Sequence, residues 1–445
     1  MTTSSTFIDL RINNAEQLKE SVSEPAPNTK LYLTYGKTGT WANDSNPPVS
    51  NTSYSTLYEV WRYMVGGKKI TGADIHHIIP RNNWTANTVY TEYDDLNTDL
   101  FGINSKMTIV NNEYNVYKCI ANNSGANSTI EPTSVNRDTI IETSDGYRWK
   151  FMYTISDSDK LRFVTDSYIP VQTLIADEGS IQWQVQEAAI DGAINYIKVT
   201  NGGSGYTNTS NILVTISGDG QSATATANIN VTSQTVSSII ITDPGINYTR
   251  ATVSISGGGG TNAAARAIIS PPGGHGKNPI YELGGKDLMF NTRIIGSEGD
   301  ILPVTNDYRQ IAIIKDPLLE GTSNVSANAA FLQALTLITA AESSGDFIED
   351  EIIYQGGTVD TATFKGVVLR WDSTNSTVYV INTEGTPAAG SITGEQSLTV
   401  RFLIADGIIE GDLEPHTGKI LYVDNIGPIS RAADQTEDFK IIIKF

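Results

Sequence analysis

The sequence predicts a mainly β protein with a few short helices, an all-β to α+β chain. It would have several domains, with antiparallel sheets and a β-sandwich body carrying inserted small β units. Three observations predict this. The 445 residues are 39% apolar and only 18% charged, with 39 glycines, the balance of a loop-rich globular chain. Short runs of aromatic and β-branched residues recur between turn residues, the pattern of strands. A Gly-, Ala-, Ser- and Thr-rich stretch also repeats itself with a period-two alternation. At roughly 150 residues per domain the length implies about three domains.

In chain order, Ala15 to Val22 predicts a short helix capped by Asn14, and Leu31 to Tyr35 a strand stopped by Gly36. Thr56 and Glu59 form a capping box for a helix whose stripe is Leu57, Val60, Trp61, Met64 and Val65, ended by Gly66 and Gly67. Met107 to Ile120 and Gly146 to Ile155 read as antiparallel strands, with Cys119 a small buried hydrophobe. Ile197 to Thr207 (IKVTNGGSGYT) matches Ile239 to Thr249 (IIITDPGINYT), and VTISG at Val214 matches VSISG at Val253. Ala223, Ala225, Ala227 and Ile229 then alternate as Ala263, Ala265, Ala267 and Ile269 do. Each copy reads as a hairpin-like unit, with Gly at positive φ and Tyr206 or Tyr248 packed over the turn. Two copies are too few for a free solenoid, so the unit should lean on the body or on a partner.

Tyr308 to Lys315 reads as a buried strand and Ser326 to Ala341 as a helix with Phe331, Leu332, Leu335 and Ile338 inward. Phe347 to Ile404 reads as several short strands in a small barrel or sandwich. Phe439 to Phe445 is a terminal strand with Phe439, Ile441, Ile443 and Phe445 on one face. The domain expectation is therefore a body in three parts, 1–178, 277–318 and 405–445. It is interrupted by a Gly-rich repeat unit, 179–276, and by a helix plus small barrel or sandwich, 319–404.

Thirty Lys and Arg against 49 Asp and Glu give a formal charge of -19, which disfavours phosphate backbones and anionic lipid as partners. No basic n-region, apolar h-region or long apolar run occurs, so neither secretion nor membrane insertion is expected. A single cysteine with four histidines builds neither an internal disulfide nor a Cys-rich zinc site. No metal, cofactor or catalytic residue is assigned.

Asp74-Ile75-His76-His77 opens like an HNH nuclease motif, but the next histidine is His275 and the rest of the metal site is missing. The expected alternative is a turn and strand with at least one exposed histidine and buried Ile78 and Ile79. Gly202, Gly203 and Gly205 lack the following helix and Lys-Ser/Thr of a phosphate loop. Asp94-Asp95 and Glu349-Asp350-Glu351 are the densest acids; a carboxylate-pair glycosidase leaves no spacing signature, and solvated loop acids are the expectation.

Six blocks resemble one family, the baseplate wedge subunit of T-even-type contractile-tailed phages. They are LYLTYGKTGTW from Leu31, Val60 to Trp84, YNVYKCI from Tyr114, DGYRWKFMYTI from Asp145, YRQIAIIKDPL from Tyr308, and Gly418 to Phe445. The resemblance implies a non-enzymatic virion component, β-rich and homodimeric, packed against other wedge proteins in the tail baseplate and present in host cytoplasm during assembly. It implies rigid-body movement when the baseplate rearranges and triggers sheath contraction. Trp41, Arg81 and Trp84 are the candidate partner-interface residues, since Trp and Arg concentrate at hot spots and these flank turns. The alternative functions are a tail-associated adhesin for host glycan, through the inserted β units, and a tail glycan hydrolase.

Overall fold

The computed structural model describes residues 7–26, 28–102, 104–207, 211–299, 301–340 and 345–445. It is mainly β, with five α-helices among the described residues. The chain divides into two compact units. The first comprises Met1–Glu16, His76–Met289 and Ile442–Phe445; the second comprises Gln17–Ile75 and Phe290–Ile441.

In the first unit, Asn115–Asn122 and Tyr147–Thr154 pair antiparallel at the centre of a four-stranded sheet, flanked by Thr108–Val110 and Ile141–Glu142. Their aromatic residues make the core: Tyr117, Trp149 and Phe151 are fully buried with Cys119, and the helix Ile181–Glu187 adds Val185. Burial also raises the Cys119 thiol pKa. A second cluster joins Ile79, Val116, Met152, Ile169 and Val171 to Ile12 of the helix Ile8–Ser23, which begins earlier than the predicted Ala15.

The repeat folds within this unit, but not as two hairpins. Among the described residues every ladder joins one copy to the other: Ile194–Ser204 with Thr261–Ile269, Ile212–Gly218 with Ala251–Gly257, and Thr224–Asn230 with Thr235–Asp243. The middle strands pair Val214 with Ile255, Thr215 with Ser254 and Ile216 with Val253, so equivalent residues are exchanged about a local two-fold axis. Each copy offers only one half of every ladder, and the unmet backbone groups require its twin. The tyrosines do pack over glycine turns, each using turns from both copies. A Cβ on Gly203 or Gly260 would strike the Tyr206 ring, and one on Gly245 or Gly220 the Tyr248 ring.

The second unit is built on a five-stranded antiparallel sheet. Its order is Ala330–Leu332, Met64–Ile70, Leu31–Gly36, Tyr308–Lys315 and Lys419–Ile429. The helix Tyr54–Tyr63 lies on it through Val60 and Trp61. Ser53, rather than Thr56 with Glu59, caps this helix by accepting the Thr56 N–H at 3.2 Å. Gly66 and Gly67 do not end it; they lie inside a strand, where the chain at Phe331 crosses closely. A Cβ at Gly67 would sit 2.7 Å from both the Leu33 oxygen and the Phe331 ring.

One further expectation changes here. Ser326 to Ala340 is not helical: Ala330–Leu332 and Leu335–Thr339 are strands, while Ala341 lies outside the described residues. Leu335, Leu337 and Thr339 alternate inward with period two, and Phe331 pairs opposite Gly67, so strand pairing overrides the helical spacing of the apolar residues. Leu335–Thr339 then opens a closed six-stranded barrel. Its order continues Thr377–Gly385, Phe364–Asp372, Ile352–Gln355, Gly390–Gly394 and Val400–Ile409, around a core of Leu337, Ile353, Phe364, Val368, Val378 and Leu403. The C-terminal strand runs Thr436–Ile443 with Glu437, Phe439 and Ile441 inward.

Candidate functional site

The interface candidates already have partners within their own units. Trp41, in the second unit, donates from Nε1 to the Ile426 oxygen at 3.0 Å, and the Lys37 ammonium lies 5.2 Å from its ring. Arg81, just after the strand Ile75–Pro80, donates to Asn83 Oδ1 and to the Thr165 oxygen, both at 2.9 Å. Trp84, three residues on, donates to Ser128 Oγ at 3.2 Å and packs against the aromatic core. All three are half-buried. The structure brings Arg81 and Trp84 into one segment; Trp41 belongs to the other unit.

The histidine pair is structural. His77 is buried, with Nδ1 2.7 Å from the Gly285 oxygen, and Ile78 and Ile79 are buried beside it. His76 is not exposed as expected: its ring lies 4.3 Å from that of Phe163, and Nε2 is 3.8 Å from Asp159. The fixed zigzag of the strand places both rings against neighbouring elements.

Of the acidic clusters, Glu349 and Asp350 are exposed as expected, whereas Asp94, Asp95 and Glu351 are held by partners. Asp94 and Asp95 lie in a loop rather than a strand, so they need not diverge, and both grip Arg266 of the repeat unit. Burial works to raise the Asp94 pKa, but the Leu96 N–H and Arg266 outweigh it and the net shift is downward. Glu351 is fully buried instead of solvated. Its oxygens accept the N–H groups of Ile348 (2.6 Å), Gln396 (3.0 Å) and Ser397 (2.9 Å), and the Ser397 hydroxyl (2.8 Å).

Sequence reasoning missed two buried ionic networks. In the first unit Lys118 has no exposed side-chain surface and donates to Glu282 Oε2 at 3.0 Å. Its Nζ is also 3.1 Å from His275 Nδ1 and 4.1 Å from the centre of the Tyr93 ring. Glu282 further accepts the Gly276 N–H at 2.7 Å. Burial opposes the Glu282 charge, but Lys118 and His275 prevail and hold its pKa below the usual value. In the second unit Arg431 faces Glu437 at 3.1 Å and donates to the Tyr35 hydroxyl and the Pro303 and Gly296 oxygens. Burial raises the Tyr35 pKa despite this guanidinium. A lysine amid the apolar run YNVYKCI was the one available signal for the first network.

Burial and the adjacent Lys118 charge push His275 down to about 4, so it is neutral and can accept from Lys118. Unfolded, it would titrate near 6.5. Stability from this residue is therefore complete above about pH 6.5 and declines as pH falls toward 4. Between pH 7 and pH 5 the expected loss is about 2 kcal/mol. Urea unfolding of wild type and His275→Gln at both pH values measures it; equal pH dependence in the two proteins would disprove the assignment.

Among the described residues no three His, Cys, Asp or Glu side chains converge as a metal site. Tyr206 and Tyr248 are 1% and 5% exposed, which leaves neither free to stack on a sugar. Residues 4–133 match the family described as Bacteriophage T4, Gp8. The baseplate wedge protein gp8 of Enterobacteria phage T4 is 24% identical over 188 residues, covering 34% of this chain and 54% of that protein. The match therefore spans about half the length of the curated relative. The matched residues include Trp41, Arg81 and Trp84, and three of the six blocks by which the sequence resembles this family.

Proposed function

We propose that this protein is a structural, non-enzymatic subunit of a contractile-tail baseplate wedge. It holds wedge geometry through a homodimer contact and contacts with neighbouring wedge proteins. It resides in the virion tail baseplate and, during assembly, in host cytoplasm. The Gp8-family match over residues 4–133 carries this reading. The buried ionic networks support it, because they fix the interior of each unit and leave rearrangement to interfaces, as rigid-body movement requires.

Trp41, Arg81 and Trp84 supply the accessible aromatic and guanidinium surface for those contacts. The stretches 179–276 and 319–404 are additions to the wedge body. Light scattering of the full chain should give a mass near twice 48.1 kDa. A strict monomer that also fails to join purified wedge proteins would overturn the proposal. Arg81→Ala should impair wedge assembly while changing stability by about 1 kcal/mol or less, since its hydrogen bonds are partly exposed; unimpaired assembly would remove Arg81 from the interface.

A further inference from the structure

The second unit has a double cavity beside an open sheet edge. The helix Tyr54–Tyr63 presents Tyr54, Leu57, Tyr58 and Trp61 at i, i+3, i+4 and i+7, the spacing of a core-facing stripe. Only Trp61 of these is buried; Tyr54 is 80% and Tyr58 57% exposed. Alongside runs Lys419–Ile429, the edge strand of the five-stranded sheet. Trp41 closes its far half by bonding the Ile426 oxygen, whereas no strand lies beyond Lys419 to Asp424 among the described residues. Between the helix and this half-edge is an apolar cavity of about 360 Å³ lined by Leu57, Trp61, Ile420 and Leu421.

His416 sits edge-on to Tyr58 at 5.3 Å and to Trp61 at 6.0 Å, and lines both this cavity and a second of about 350 Å³. The second is polar, with Gln333, Asn382, Glu320 and Glu410 in its wall and Arg62 as its arginine. Burial and the carboxylates of Glu414 and Glu410 raise the Glu320 pKa, a sign of unrelieved negative charge. Among the described residues none of these three glutamates makes an ion pair.

We propose that this site binds an extended segment of a partner polypeptide. The segment adds as a strand along Lys419 to Asp424, seats a large apolar side chain in the first cavity, and places a lysine or arginine among the glutamates of the second. Main-chain pairing to an unprotected edge supplies affinity, and the cavities supply selectivity. The excess of carboxylates selects the basic residue.

The test uses the full chain and fluorescent synthetic octapeptides of alternating pattern, carrying Leu, Phe or Trp followed by Lys, Arg or Glu. Fluorescence anisotropy should show peptides with an apolar and a basic residue binding at least roughly ten-fold more tightly than their Glu counterparts. Leu421→Glu and Tyr54→Ala, both at exposed positions, should weaken binding by a similar factor, and Glu410→Lys should abolish the preference for a basic residue. Equal binding of basic and acidic peptides, or unchanged binding by all three variants, would overturn the proposal. So would conversion of a dimer to a monomer by Leu421→Glu, which would identify the occupant as a second copy, or displacement of the peptides by an oligosaccharide.

Discussion

Lys118→Met is expected to destabilise the first unit by about 3–5 kcal/mol, because it strands the Glu282 carboxylate in a dry interior. The lysine contributes the ammonium that offsets this charge, and its Nζ is within hydrogen-bonding distance of His275 and over the face of Tyr93. Methionine reproduces most of its volume but none of these interactions. Adding Glu282→Leu should recover part of the loss, since removing both charges eliminates the desolvation penalty that either one leaves behind. Hydrogen exchange of the amides in Asn115–Asn122, followed in wild type, each single variant and the double variant, reports this unit directly. A Lys118→Met protein within about 1 kcal/mol of wild type would show that the pair is hydrated or loosely held.

Glu351→Ala should have a comparable effect on the barrel, about 3 kcal/mol, through a different mechanism. Here no cation among the described residues pairs with the carboxylate; three backbone N–H groups and one hydroxyl converge on it. Alanine leaves these donors buried without acceptors. The cradle is tight, for a Cβ on Gly394 would lie 2.7 Å from Glu351 Oε2. Glu351→Gln should fall between, because its amide retains one acceptor oxygen but presents hydrogens to N–H groups. The amides of Gln396 and Ser397 should lose exchange protection in the alanine variant; protection equal to wild type would refute the bracing role.

These two glutamates show where sequence-based inference runs out. The strands from Asn115 to Asn122 and Tyr147 to Thr154, the helix around Trp61 and the repeat were legible because side-chain spacing and flanking turn residues are local signals. Glu282 is 164 residues from Lys118, and nothing in the spacing announces the pair. Glu351 sits among other acids and resembles a surface loop until the turn at Gln396 and Ser397 closes over it. The repeat was visible as a duplication, but the choice between pairing within and between copies depends on how the chain returns. In the segment from Phe331 to Ile338 two periods competed, and pairing with Met64–Ile70 and barrel closure selected the shorter one. Of the interface candidates, residue type was legible, but the internal bonds of Arg81 and Trp84 were not.

The repeat unit leaves and re-enters the chain at one point: Ile194 pairs with Ile269, and the Ser270 N–H donates to the Ala193 oxygen at 2.9 Å. The barrel has a similar neck, where the Gln333 side chain bonds both the N–H and the oxygen of Leu413. Such paired stems give each of these two stretches the form of a cassette. Its length and surface can change, or the whole can be exchanged for a short turn, while the strands at its base keep their registers and the loop-closure entropy changes little. Recombination can then re-equip the exterior of the protein without redesigning the scaffold beneath it.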